Sequence, residues 1–177
     1  MLSFEDEWNW QSVTLAGANL KSRPLLSQKQ RLDWLVDQAS CFQGEQLELQ
    51  AHWARYLCVL AAGFLENALT EIYSRYAKVS ANTQVSNYVE AALGKIQNPK
   101  SNKFLDTARS FDRGWEESLS IFISDEGRGD AIDAIMANRH LIAHGKDSNI
   151  SLARVKEYLK KSIEVVDFIE AQCGLKN

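Results

Sequence analysis

Residues 57 to 65, Leu57-Cys58-Val59-Leu60-Ala61-Ala62-Gly63-Phe64-Leu65, carry no charge on any face. Such a run is about half the length of a membrane span, and it sits inside a longer pattern. From Glu45 to about Lys78, residues Leu49, Trp53, Tyr56, Leu57, Leu60, Phe64, Leu65, Ala68, Leu69, Ile72 and Tyr76 recur at spacings of three and four, which predicts one long helix. A helix tolerates an uncharged girth when other helices surround it. The run therefore predicts the central helix of a bundle. Gly63 in its middle costs about 1 kcal/mol relative to alanine, and close approach of a neighbouring backbone would account for it.

Shorter helices flank this centre. Leu32, Leu35, Val36, Ala39 and Phe42 share one face between Lys29 and Phe42, and Gly44 stands where a helix stop is expected. Val85, Tyr88, Val89, Ala92, Leu93 and Ile96 mark a helix from Thr83 to Gln97, ended by Asn98-Pro99. A polar connector, Lys100 to Lys103, leads to two short helical pieces, Phe104 to Phe111 and Trp115 to Ile123, broken at Asp112-Arg113-Gly114. Ser124 to Asp130 reads as a loop, with Asp130 capping a helix that runs to His144 and Gly145 at the C′ position. Ser151 opens a last helix. No repeat, low-complexity segment or alternating run is present. The expected fold is all-α, an antiparallel helical bundle of about five to six helices with one long central helix. Residues 28–177 form its single domain. Residues 1–27, with Trp8 and Trp10, form an N-terminal arm that packs on the bundle or on a partner.

The chain has 177 residues and 45% apolar residues, enough for a full core. A net charge of -3 excludes a chain that coats nucleic acid non-specifically and leaves only local contacts to it. Cys41, Cys58 and Cys173 are odd in number and lack CxxC spacing, so they indicate reduced thiols rather than a disulfide framework or zinc knuckle. The acidic N-terminus, MLSFEDEWNW, lacks the order of a signal peptide, and no membrane span is visible. The expectation is a soluble, cytoplasmic protein with no membrane partner.

Residues 137 to 145, ANRHLIAHG, hold two of the three histidines. In a helix His140 and His144 share a face, whereas Arg139 and His144 differ by about 140°. Two histidines at that spacing can bind zinc, but a site needs a third ligand, and zinc hydrolases usually carry a glutamate between them. Here Leu141, Ile142 and Ala143 intervene, and His52 would have to be brought across by the long helix. Alternatively, a histidine before a glycine is simply the favoured residue of a last helical turn.

From about Trp53 to Glu170 the sequence resembles the HEPN superfamily, in its RNase L-like and phage-defence branch (RiboL-PSP-HEPN-like). Arg139-His140-Leu141-Ile142-Ala143-His144 fits the motif of arginine, a polar residue, three variable residues and histidine, followed by glycine at Gly145. The run Trp53-Ala54-Arg55-Tyr56-Leu57, the step Phe64-Leu65-Glu66 and the connector Gln97 to Ser101 are similar as well. Position 140 departs from the commoner asparagine.

The resemblance implies a homodimer with the motif at its interface, and a metal-independent endoribonuclease acting on RNA without any cofactor. The substrate's 2′-hydroxyl would attack the phosphorus, giving a 2′,3′-cyclic phosphate and a 5′-hydroxyl. Arg139 would bind phosphate and His144 would transfer protons, since guanidinium clamps phosphate bidentately and imidazole titrates near neutrality. A helix C-terminus favours the imidazolium form, which suits the acid role. His140 positions RNA, orients Arg139 or is plain surface. Glu66 either pairs with Arg139 and fixes its direction or marks the exit of the long helix to solvent. Lys100, Lys103, Arg109 and Arg113 help hold a phosphate backbone or are solvated surface. The implied role is defence or toxin-antitoxin, with an antitoxin or defence-system protein as a further partner. The competing expectation is a non-catalytic module binding RNA, a nucleotide or a nucleotidyltransferase-type antitoxin.

Overall fold

A computed structural model describes residues 22–40 and 47–174. Trp8, Trp10, Cys41, Phe42 and Gly44, and the arm as far as residue 21, lie outside the described residues. Seven helices and no strand occur among the described residues: α1 (Arg23–Ser40), α2 (Leu47–Ser80), α3 (Thr83–Leu93), α4 (Ser101–Phe111), α5 (Arg113–Ser124), α6 (Arg128–Ala143) and α7 (Leu152–Gln172). The bundle is all-α, as its periodicity requires. None of these helices is long and apolar enough to cross a membrane.

Helix α2 is the axis, packed by α1, α3, α6 and α7. Ala54, Leu57, Cys58, Ala61, Phe64, Leu65, Ala68, Leu69, Ile72 and Tyr73 are all buried on it. Burying each large aliphatic or aromatic side chain of this set contributes roughly 1.5–3 kcal/mol. The uncharged run is nevertheless not enclosed on every side. Val59 is 38% exposed, and a Cβ built on Gly63 would meet nothing within 4 Å. The close backbone neighbour expected at Gly63 is thus absent among the described residues, because none of the described helices covers that side.

Helix α1 begins earlier than its periodicity suggests. Pro24 sits in its first turn, where the missing N–H has no intrahelical acceptor to lose. Helices α4 and α5 are the two expected pieces, and the break between them is a single residue rather than the three of Asp112-Arg113-Gly114. Asp112 closes α4 through its amide to the Ala108 carbonyl and caps α5 by accepting from the Trp115 amide at 3.0 Å. Tyr73 stacks on Phe111 with centroids 4.7 Å apart, and Tyr76 meets Trp115 edge-on, which seats both helices against α2.

The loop expected over Ser124 to Asp130 is shorter in the structure. Helix α6 starts at Arg128, with left-handed Gly127 (φ 68°) as its N-cap, so Asp130 lies in the first turn rather than at the cap. The cause is Arg128, whose guanidinium is buried and donates to acceptors on α5, in the α5–α6 turn and on α7. Ser151 caps α7 through the Arg154 amide, as its sequence position suggests.

Candidate functional site at the C-terminal end of α6

Ile132, Ile135, Arg139 and Ile142 follow one another at spacings of three and four, so Arg139 prolongs the buried stripe of α6. It is half-buried, whereas His140 and His144 on the neighbouring face are exposed. Cys58 of α2 fixes this part of the helix. Its thiol donates to the Ile135 carbonyl at 3.5 Å, and the Arg139 backbone amide lies within its reach. Burial pushes the Cys58 thiol up to about 11, with that amide pulling slightly the other way. Burial and nearby Glu170 push Cys173 up to about 12. Neither thiol is therefore a nucleophile at neutral pH.

The helix then stops sharply. Gly145 has φ 65°, the Gly145 amide donates to the Ile142 carbonyl at 3.1 Å, and the Lys146 amide reaches back to Leu141 at 2.9 Å. This pair of bonds is the Schellman closure that a C′ glycine permits. It leaves His144 as the last residue before the reversal, with its ring 4.4 Å from that of His140 in an edge-to-face arrangement. His140 therefore touches His144, and not Arg139.

Three residues that sequence reasoning did not assign to the site hold the loop beyond it. Asn138 donates to the Ala134 carbonyl at 2.8 Å and accepts from the Ser148 hydroxyl at 2.9 Å. Arg55 of α2 donates to the Ser148 carbonyl at 3.3 Å and contacts His52 Nδ1 at 3.5 Å. Buried Ser148 thus joins α6, its following loop and α2. The signal was present in part, since Arg55 is a charge on an otherwise apolar stretch of α2, but its partner lies 93 positions away.

Glu66 requires a correction. Its carboxylate accepts from the Asn98 amide, so it holds the α3–α4 connector in place and does not orient Arg139. Asn98 is in the left-handed region at φ 50°, a conformation asparagine adopts more readily than most residues. Among the described residues Arg139 has no side-chain hydrogen bond or ion pair. Nor do three His, Cys, Asp or Glu side chains converge as a metal-binding group among those residues. His52 meets Arg55 rather than the two motif histidines.

The end of α6 is accordingly a rigid, cationic ledge. A guanidinium without an acceptor among the described residues shares this helix end with two exposed imidazoles in edge-to-face contact, and Arg55 holds the following loop. Such a surface can bind a phosphate and move a proton next to it.

The RiboL-PSP-HEPN family matches residues 30–174 of the chain. The chain is also 33% identical over 93 residues to the endonuclease MutS2 of Helicobacter pylori (strain ATCC 700392 / 26695), an alignment that covers 47% of this chain and 12% of that protein. No solved structure matches the chain.

Proposed function

The chain belongs to the RiboL-PSP-HEPN family, and from that premise and the geometry at the end of α6 we propose that it is a metal-independent endoribonuclease whose active site is completed by a second copy of itself. Membership alone makes it a nuclease-like or nucleotide-binding helical module. The finer reading is carried by one observation: Arg139 is half-buried, held on a fixed helix end, and has no acceptor among the described residues. An arginine with no structural partner, beside paired histidines, suits an external phosphate.

In the proposed reaction His144 of one copy takes the proton from the RNA 2′-hydroxyl. The 2′-oxygen bonds to phosphorus while the bond from phosphorus to the 5′-oxygen breaks. His144 of the other copy gives its proton to the leaving 5′-oxygen, and Arg139 neutralises the charge on the phosphorane. The attacking group belongs to the substrate, so no cofactor enters the scheme.

A second copy has a plausible seat on α2. Leu49, His52, Tyr56, Val59 and Gly63 follow at three and four along one side of the helix, and Leu49, Tyr56 and Val59 are each about two-fifths exposed. An exposed apolar stripe with a bare glycine suits close approach of an identical helix. Because Arg55 on the same helix holds the loop after His144, pairing across this stripe would bring two motif ends towards each other. Defence or toxin-antitoxin activity, restrained by a partner protein, fits such a nuclease.

The test is incubation of the purified protein with total RNA in EDTA, beside His144→Ala. Cyclic-phosphate ends from the parent alone support the reading. Identical RNA from both overturns it in favour of a non-catalytic module, a reading to which the net charge of -3 lends some weight. Sedimentation of the parent and of Tyr56→Glu then reports whether the stripe carries the dimer.

A further inference from the structure

Helix α6 joins the motif to a second feature that the reaction does not use. Asp133, His140 and His144 lie seven and eleven positions apart, which on a helix of 3.6 residues per turn puts them within about 20° of one side. Asp133 spends both carboxylate oxygens on the start of α4, accepting from the Ser101 amide at 2.7 Å and its hydroxyl at 3.0 Å. From the other side Glu66 of α2 holds the Asn98 amide. The α3–α4 connector is thereby fixed on the histidine side of α6. Its anchor lies about 10 Å along the axis from His140 and about 16 Å from His144, at 1.5 Å per residue.

That connector borders a concavity of about 480 Å³ lined in part by Lys95, Asn98, Pro99, Lys100, Lys103 and Asp106. Lys95, Lys100 and Lys103 are exposed, and among the described residues none of them has an ion pair. The acid of the concavity, Asp106, is committed to Arg109, which also reaches Glu116 at 3.4 Å. The start of α4 adds nothing to this charge, because its first amide is already taken by the Asp133 carboxylate. Three lysines without an ion pair among the described residues thus border one hollow, while the nearest arginine is neutralised.

We infer that this hollow is a second phosphate-binding subsite, which holds the RNA backbone a few nucleotides from the scissile bond. The ligand class rests on the ribonuclease reading above. The subsite itself is a separate contact, with Lys95, Lys100 and Lys103 as binding residues that take no part in bond cleavage. The two sites form one track along α6, so substrate strands long enough to span it bind more tightly than strands confined to Arg139 and His144. Of the four basic residues the sequence offered for such a role, Lys100 and Lys103 are retained. Arg109 is excluded by its ion pairs, and Lys95 joins from the preceding turn.

The experiment measures binding of labelled single-stranded RNA, one trinucleotide and one of roughly 15 nucleotides, to the full chain carrying His144→Ala, across a salt series. Footprints of ~4–16 nucleotides are usual for single-strand binders. Lys95→Gln/Lys100→Gln/Lys103→Gln is then added, with Arg109→Gln as the matched control. At a slope of about 0.7 per phosphate contact, the triple variant should flatten the salt dependence for the long strand by about 2. It should weaken that strand roughly tenfold near physiological salt and leave the trinucleotide unchanged. Unaltered slope and affinity for the long strand, an equal loss for the trinucleotide, or an equal effect of Arg109→Gln would each overturn the inference. Failure of the nuclease reading is visible separately. Lysine-dependent RNA binding by a parent chain that never cleaves removes the catalytic proposal and leaves the subsite.

Discussion

Helix α6 carries two arginines on one side, eleven residues apart, with opposite surroundings. Arg128 is 8% exposed. Its guanidinium donates to Glu164 at 2.9 Å, to Glu126 at 2.8 Å, to Asp125 at 3.3 Å and to the Phe122 and Asp125 carbonyls, and it lies 4.2 Å over the Phe122 ring. Arg139 is half-buried and has no such acceptor among the described residues. The first closes the α5–α6 corner and locks it to α7. The second is held only by its backbone, leaving its charge for something outside the chain. Burial and saturation, rather than residue type, separate the structural arginine from the one proposed to bind phosphate.

The comparison breaks most visibly in an activity assay. If the parent cleaves RNA, His144→Ala and Arg139→Ala should each lower cleavage by about 10²- to 10⁴-fold, in line with loss of a general acid-base group or of a transition-state clamp. Neither should move the thermal midpoint by more than a degree or two. Arg128→Met should do the reverse. It leaves three carboxylates and two carbonyls without their donor, and since Asp125 and Glu126 reach solvent, the loss should be about 2–3 kcal/mol in a denaturant titration, below the extreme for a sealed pair.

A smaller effect sharpens the role of α7. The helix that gives Glu164 to Arg128 also carries Asp167, whose carboxyl is pushed up to about 6, first by burial and then by repulsion from Glu170. One of its oxygens is buried with no hydrogen-bond partner among the described residues. The folded chain therefore binds this proton more tightly than the unfolded chain does. Stability contributed by Asp167 should fall as pH rises from about 4 to about 6 and be lowest above that window. Asp167→Asn should remove this slope and stabilise the protein at pH 7, by on the order of 1–2 kcal/mol once partial exposure is discounted. Urea titrations at pH 5 and 7 measure it.

The smallest effect concerns the open side of α2. With empty space where its Cβ would be, Gly63→Ala should stabilise the isolated chain by up to about 1 kcal/mol through helix propensity. The same substitution should weaken self-association if the α2 stripe is the seat of a second copy. Opposite signs in unfolding and sedimentation would place Gly63 at an interface.

Much of this architecture is written locally. The period of three and four over α2, the glycine at position 145 and the serine at position 151 each act within a turn or two, so α2, the end of α6 and the start of α7 are legible from sequence. Arg139 and His144 stand out only through the family motif they resemble, since their spacing alone reads equally as the ordinary end of a helix. Arg128 is not legible, because SDEGRGD has the composition of a loop, and its arginine is fixed by the acids of the α5–α6 turn and of α7. The true partner of Glu66 is 32 positions away and that of Arg55 is 93, distances at which packing, not pattern, decides. Gly63 shows the converse. Its sequence signalled a close neighbour, and the described residues of the single chain do not supply one.

Cys58 gives the site a clock. Its thiol lies where α2 crosses α6, bonded to the Ile135 carbonyl, and is fully buried. An alkylating reagent can reach it only when the two helices part, so its labelling rate counts how often the floor beneath Arg139 opens. Anything that settles on the ledge and steadies that crossing becomes readable as a slower chemical reaction at an atom it never touches.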